Sequence, residues 1–522
     1  MKYFFLRLIL ILSFVFAMCA RIHALSVQSH ELINQYIVKS SLNGFSLDSY
    51  LRSTLQFPNG IDEVFTSQVF IFSNSLSVSD WIKFGGKYED EPPWYNPSIP
   101  YLGRSKNHFH NPLNKQGYTG PSWVNWLLFG QVNGQSSIQW SQSSPNTQSP
   151  GGYYSWHDVR NYFFNALTAI NDTERQQNFA DTFRGLGQLM HLVEDLSVPE
   201  HTRNAFHAFG GYEGWVSNKV TDNINSNYYI GNYAPIFFDP TVIGNSPSSA
   251  LTAIGPVPIT NLFDMNQYRQ DNLDPNVTID VVNNMSRIGL SEYTNANFIS
   301  PTTAFAPGFN YPNWNSIVQA TYSGSTKRYL KKLGKGDPPA AGGQVGNGEH
   351  IDHFAVSRWG RNLLPSSISQ NGIYLKMDNA VYAEYASHLI PRAVGYAEGL
   401  LNYFFRGAVY GCDELLQFDN TYTYFTSVTL KVYNDGTETM SAGRMIIRWY
   451  LNTPGPINYV LTNPVYITEN IAPGTISVNT YTFTFPQPPP WTSVTIDYGL
   501  IFRGKLGNED DAVTFSWTAV PQ

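Results

Sequence analysis

The stretch HLVEDLSVPEH, His191 to His201, places two imidazoles and several carboxylates within eleven residues and interrupts them with a proline. His191 and Asp195 are four apart, so on a helix they project from one face a turn apart and can share a metal ion. Glu194 points elsewhere on such a helix. Pro199 disfavours helical geometry at Val198, which ends the helix near Leu196 or Ser197 and lets the chain turn back. His201 can then reach a neighbouring ion from the loop. Taken alone, a His-x-x-x-Asp pair is more commonly solvated or hydrogen-bonded than ligating, so a metal reading needs further donors.

Further donors occur along the chain, each weak singly. His30 lies in SVQSHELINQYIV, where Ser29 can cap a following helix. GGKYEDEPP offers Glu89, Asp90 and Glu91, which in isolation read as a solvated acidic turn. RSKNHFHNP offers His108 and His110. If extended, these two point to opposite sides, so at most one joins a given site, and His110 is the one left out. NAFHAFGGYEGWVSNKV offers His207 and Glu213, separated by two glycines that allow the backbone to fold close to an ion. GLSEYTNANF offers Glu292 and Tyr293 as pocket lining, against the plainer reading of a helix start. Trp156 and Trp215 read as core rather than as platforms for bases.

These residues need elements to position them. From about His30 to Trp215 the pattern is mostly helical, notably in SWHDVRNYFFNALTAI and in NDTERQQNFADTFRGLGQLMHLVEDL, where Asn171, Asp172 or Thr173 can cap the start. Residues from about 218 to 375 form a loop-rich insertion, with stretches such as GNSPSSALTAIGPVP and LGKGDPPAAGGQVGNG. Helical pattern returns from Asp378 to Gly407, although Pro391 must kink or split it. Beyond Ala408 the period changes to two, with Asn-Asp-Gly and Pro-Gly turns, as expected of an antiparallel sandwich. The expected layout is a signal at 1–24, a mostly α catalytic domain at 25–407 and an all-β sandwich at 408–522.

Composition limits the function classes. At 522 residues the chain is too long for one ordinary domain. Hydrophobic residues at 42% and charged residues at 14% suit a packed extracytoplasmic protein rather than a disordered one. Lys2 and Arg7 supply a positive start before an apolar run, Leu8 to Met18, that is too short to span a bilayer and reads as a secretory signal. Cleavage fits after Ala17, Ala20 or Ala24, so a secreted or periplasmic protein exported from a bacterial cytoplasm is expected. Met18 is a poor residue before a lipidated cysteine, which argues against a lipoprotein anchored at Cys19. Without Cys19, only Cys412 remains and no intrachain disulfide can form. Losing Lys2, Arg7 and Arg21 with the signal, which contains no acid, takes the net charge from -7 to -10. That balance disfavours gripping polyphosphate by bulk charge.

In their order, His30, EDEPP, NHFHNP, HLVEDLSVPEH and YEGWV resemble the zinc-dependent phospholipase C enzymes and their relatives, the fungal single-strand nucleases, which share a mostly helical fold around three zinc ions. The resemblance covers roughly residues 25 to 217 and the helix near 380 to 407. It implies that Asp90, His108, His191 and Asp195 hold one zinc, with Asp195 bridging to a second. The second would also be held by His30 and by the free amino group and carbonyl of Leu25, the first residue after cleavage at Ala24. The family has tryptophan there, but the ligands are backbone atoms. The third would be held by His201, His207 and Glu213. Here the chain departs from the pattern, which puts the second histidine four before the carboxylate, where Phe209 stands.

The chemistry implied is direct hydrolysis of a phosphodiester. Zinc lowers the pKa of its water to about 7, and Asp90 would orient or deprotonate the attacking water. Export, acidic charge and a membrane-docking β domain favour phospholipid as substrate. Nucleic acid is the alternative on the same site, and a non-catalytic, zinc-stabilised surface-binding protein is a third reading. The acidic loops NDGTE and GNEDDA, around Asp435 and Asp510, could bind calcium at a membrane, although such turns are usually only solvated.

Overall fold

The computed structural model describes residues 27–69, 72–91, 104–120, 133–149, 151–205, 207, 211–222, 239–267, 287–301, 303, 312, 314–357, 375–452 and 459–519. Its principal helices are α1 (Val27–Lys39), α2 (Val78–Asp90), α3 (Trp156–Thr168), α4 (Asp172–Glu194), α5 (Tyr212–Asp222), α6 (Leu290–Asn297) and α7 (Asn379–Phe404). A C-terminal run of strands follows, so a helical region precedes a β domain as expected. None of the described helices is long and apolar enough to cross a membrane.

Two compact units form, and neither is continuous in sequence. One contains the described residues of Met1–Ile37, Lys83–Tyr153 and Gly187–Gly399; the other contains Val38–Ile82, Tyr154–Leu186 and Leu400–Gln522.

In the first unit, the insertion holds more regular structure than its composition suggests. Strands β3 (Ile317–Ala320), β4 (Arg328–Lys332), β5 (Ile351–Ser357) and β6 (Leu375–Lys376) pair antiparallel in that order. In α7, Pro391 does not split the helix, which runs as one element of 26 residues. Asp378 caps its start by accepting from the Ala380 and Val381 amides. Leu389, Ile390, Ala393, Val394 and Ala397 around the proline are buried. Each large apolar side chain buried there contributes on the order of 1.5–3 kcal/mol, enough to offset the hydrogen bond that proline cannot make.

The second unit includes a hairpin within the stretch that reads as helical. Strands β1 (Val64–Val69) and β2 (Phe72–Ser77) pair antiparallel. Phe65 from this hairpin packs against Phe57 and Phe179, and its carbonyl accepts from Trp81 Nε1. The β domain itself is a sandwich. One sheet runs β10 (Tyr459–Leu461), β9 (Met440–Leu451), β14 (Val494–Leu506), β15 (Glu509–Ala519), with β11 (Val465–Ile467) also on β9. The other runs β12 (Thr475–Ile476), β8 (Phe425–Asn434), β13 (Tyr481–Thr484), with β7 (Val409–Phe418) also on β8. Alternate residues Val428, Leu430 and Val432 of β8 share a buried core with Met445, Ile447 and Trp449 of β9 and Leu500 and Phe502 of β14. This is the period-two pattern realised as two inner faces.

Helix α3 packs on that sandwich through charge as well as apolar surface. A capping box between Ser155 and Asp158 starts the helix. Trp156, expected to be core, is buried, and its Nε1 donates to Glu509 Oε1 at 2.7 Å. Arg160 grips both oxygens of Glu509 at 2.9 and 3.0 Å, and Arg406 adds a contact at 2.7 Å. Asp510 and Asp511 face Lys505 and Arg503. Glu509 is thus neutralised within the second unit, while Asp510 and Asp511 pair with Lys505 and Arg503 at its surface.

Candidate metal centre

The helix that carries the opening motif starts where expected. The Asn171 side chain accepts from the Glu174 amide at 2.7 Å, and α4 ends at Glu194. Asp195–Ser197 continues as one tighter turn. Val198 is then extended, with φ -92° and ψ 116°, and Pro199 opens the short helix Pro199–Thr202. The proline therefore both stops one helix and starts the next, which places His201 on a new turn. Asp90 is the last residue of α2, and His108 follows the turn Ser105–Asn107. The His110 amide donates to the His201 carbonyl at 3.2 Å, which ties these two segments together.

These turns converge. Asp195 Oδ2 lies 2.9 Å from His108 Nδ1 and 3.1 Å from His191 Nε2, while its Oδ1 faces His30 Nε2 at 3.3 Å. Asp90 Oδ1 lies 3.5 Å from His108 Nδ1 and 3.8 Å from His191 Nε2. Next to them, His207 Nε2 lies 2.7 Å from Glu213 Oε2 and 3.3 Å from His201 Nε2. His201 Nδ1 in turn lies 3.7 Å from Asp195 Oδ2. Three donor groups result, His30–Asp90–His191, His108–His191–Asp195 and His201–His207–Glu213, each with its atoms within 4.8 Å of one another. Of the residues singled out in the sequence, Leu25 and Phe209 lie outside the described residues.

The structure reassigns two acidic residues. Glu194 does not point away: its Oε2 meets His30 Nδ1 at 2.5 Å. Glu89 is not in a solvated turn but is buried, held by Arg104 at 2.7 Å and facing His108 Nε2 at 3.5 Å. His191 Nδ1 donates to the Gly86 carbonyl at 2.7 Å, and His207 Nδ1 to the Ala205 carbonyl at 2.8 Å. Four imidazoles thus have one nitrogen facing a carboxylate or carbonyl and the other turned to the centre, the arrangement that orients histidine for a metal. Gly86 also permits close approach of α1, since a Cβ there would meet Asn34 Nδ2 at 2.5 Å.

His110 stays apart from all three groups; its Nε2 lies 2.7 Å from Asp264 Oδ2 and its Nδ1 2.7 Å from Ser136 Oγ. Glu292 caps α6, accepting from the amides of Met265, Gln267 and Gly289. Trp215 is half-buried on α5.

Electrostatics explain how such a cluster can be buried. Burial pulls the His30 and His108 imidazoles down, but Asp195, with Glu194 beside His30 and Glu89 beside His108, pushes both up to about 10. Burial likewise pulls His207 down, and Glu213 pushes it up to about 9. Burial works against ionised Glu89, but Arg104 and His108 hold its carboxyl at about 2. Asp195 is held well below the carboxylate range against burial by His191 and His201. Protons and a cation compete for these nitrogens.

The residues fit a metal. Both oxygens of Asp90 and of Asp195 are buried with no hydrogen bond, as are His30 Nε2 and His201 Nδ1. Buried carboxylate oxygens that meet imidazole nitrogens only outside hydrogen-bonding geometry are costly, and a cation held between these atoms removes that cost. Nitrogen and carboxylate donors in groups of three suit zinc with a position left open.

No protein-family model and no curated protein matches the chain. Among solved structures it is similar to the alpha toxin from Clostridium absonum, 12% identical over 85% of each chain, with a TM-score of 0.23. It is also similar to Clostridium perfringens alpha-toxin isolated from avian strain SWCP, 10% identical over 94% of this chain and 96% of that one, with a TM-score of 0.19. Scores this low carry no argument, so the reading of the centre rests on its own geometry.

Proposed function

We propose that the chain is a secreted zinc-dependent phosphodiester hydrolase of the phospholipase C type, acting on phospholipid. The observation that supports this most is the pair Asp90 and Asp195, buried among four imidazoles with no hydrogen bond to any of their four oxygens. His30, Asp90, His108, His191 and Asp195 would hold two ions, completed by the backbone of Leu25 as the mature first residue, and His201, His207 and Glu213 a third. The signal at 1–24 and membrane contact by the β domain belong to the same proposal.

Ions held there supply Lewis-acid polarisation of phosphoryl oxygens and a lowered pKa for water. The side chains of the chain do the rest. Glu194, Glu89 and the carbonyls of Gly86 and Ala205 select which imidazole nitrogen faces the substrate side. Asp90, at the end of α2 and free of hydrogen bonds, orients the attacking water and takes its proton. Asp90 and Asp195, buried beside the imidazoles, supply the negative charge that would hold the ions in place.

The test is metal content of the mature protein together with hydrolysis of a phosphatidylcholine analogue and of single-stranded DNA, before and after chelation and in Asp195→Asn. Zinc with chelator-sensitive lipid cleavage is expected. DNA cleavage alone would move the same centre to the nuclease alternative; zinc without either activity would leave the surface-binding reading, and no zinc would overturn all three.

A further inference from the structure

We propose that His110, Asp264 and Ser136 form a positioning triad that sets the backbone carrying His108 and His201, histidines of two adjoining donor groups. The inference rests on the metal reading above and concerns residues that reading leaves unused.

His110 is fully buried and has both ring nitrogens engaged. Ionised Asp264 only accepts, so Nε2 carries the proton on that side at 2.7 Å. Nδ1 then accepts from the Ser136 hydroxyl at 2.7 Å. Asp264 is itself fixed on both oxygens: Lys115 Nζ donates to Oδ2 at 2.8 Å and the Asn266 amide to Oδ1 at 2.6 Å. Ser136 Oγ also receives the Ile138 amide at 3.3 Å. The ring is therefore locked between two well-separated parts of the chain.

That lock is transmitted through the main chain. The His110 amide donates to the His201 carbonyl, the Ser137 amide to the Phe109 carbonyl at 2.9 Å, and the Gln135 amide to Asn107 Oδ1 at 2.8 Å. Phe109, between the two histidines, stacks on the His201 ring with centroids 4.3 Å apart. His108 faces the donor groups while His110 anchors the opposite side, so turning the His110 ring moves His108 directly and His201 through its carbonyl and its stacked ring. Outer partners of this sort set ligand geometry and tune metal affinity.

The experiment loads the full mature chain with cobalt(II) in place of zinc and reads its visible spectrum, and its affinity by chelator competition, in the wild type, Asp264→Asn and Ser136→Ala. Asp337→Asn serves as control, since Asp337 pairs with His350 and belongs neither to the triad nor to any donor group. Asp264→Asn is expected to fold, to bind cobalt about tenfold to a hundredfold more weakly and to shift the spectrum. Ser136→Ala should move the same readouts less, and the control should move neither. A folded Asp264→Asn with wild-type affinity and spectrum overturns the positioning role while the metal reading stands. If Asp264→Asn does not fold, Ser136→Ala decides in the same way. A wild type that takes up no cobalt sinks the metal reading, and this inference with it.

Discussion

His207 Nε2 lies 2.7 Å from Glu213 Oε2, and Gly211, two residues before Glu213, holds φ at +97°. A side chain at Gly211 would be strained by that φ, and its Cβ would stand 2.7 Å from Glu200 Oε1. Gly211→Ala should therefore cost about 1–3 kcal/mol and remove one metal equivalent, leaving the other two. His207→Ala should remove the same equivalent. Metal analysis after dialysis checks both; three retained equivalents in His207→Ala would show that this group holds no ion.

Asp195 reaches His30 with one oxygen and His108 and His191 with the other, so it should govern metal retention. An ion present at a hundred times its dissociation constant stabilises by about 2.7 kcal/mol, which for a unit of this size raises Tm by roughly 4 °C. Chelation should lower the Tm of the wild type by that amount. Asp195→Asn should start lower and respond less to chelator, through the His201–His207–Glu213 group alone. A chelator response in the variant as large as that of the wild type would contradict the assignment of Asp195.

Some of this centre was legible in the sequence because local spacing encodes it. His191 and Asp195 share a face because they are one helical turn apart, and Pro199 redirects the chain by its own stereochemistry. Glu194 was misread for the opposite reason: its partner, His30, comes from α1, 164 residues away, and spacing along one helix says nothing of that neighbour. Glu89 looks solvated until Arg104, which neutralises it, is placed beside it. The β1–β2 hairpin escaped notice because six-residue strands within a long helical stretch leave too short an alternation to outweigh it. The sandwich, with five long alternating segments, had no such competitor.

Glu194→Gln keeps the shape of the side chain and an acceptor oxygen but removes the charge beside His30 Nδ1. Metal affinity should fall about tenfold to a hundredfold, with little change in the Tm of the chelated protein. Isothermal titration of zinc into the chelated variant checks this, and an affinity equal to the wild type would leave Glu194 with only a packing role.

Glu509 sets the acid limit of the second unit. Burial disfavours its charge, but Arg160 and Arg406 hold its carboxyl at about 2, against 4.5 ordinarily. A carboxylate whose folded pKa is depressed contributes stability that is fully present above the ordinary value and is lost as pH falls through the folded one. The window is therefore about pH 4.5 down to 2. The gap of about 2.5 units corresponds to roughly 3 kcal/mol, consistent with the cost of breaking a buried pair. Glu509→Gln should lose about that much at pH 7, because Arg160 and Arg406 remain buried without their counter-ion. Urea unfolding of both proteins at pH 7 and near pH 2.5 checks the sign. The gap between wild type and variant should narrow markedly at the lower pH, and a gap that stays constant would mean that the Glu509 charge contributes nothing to the fold.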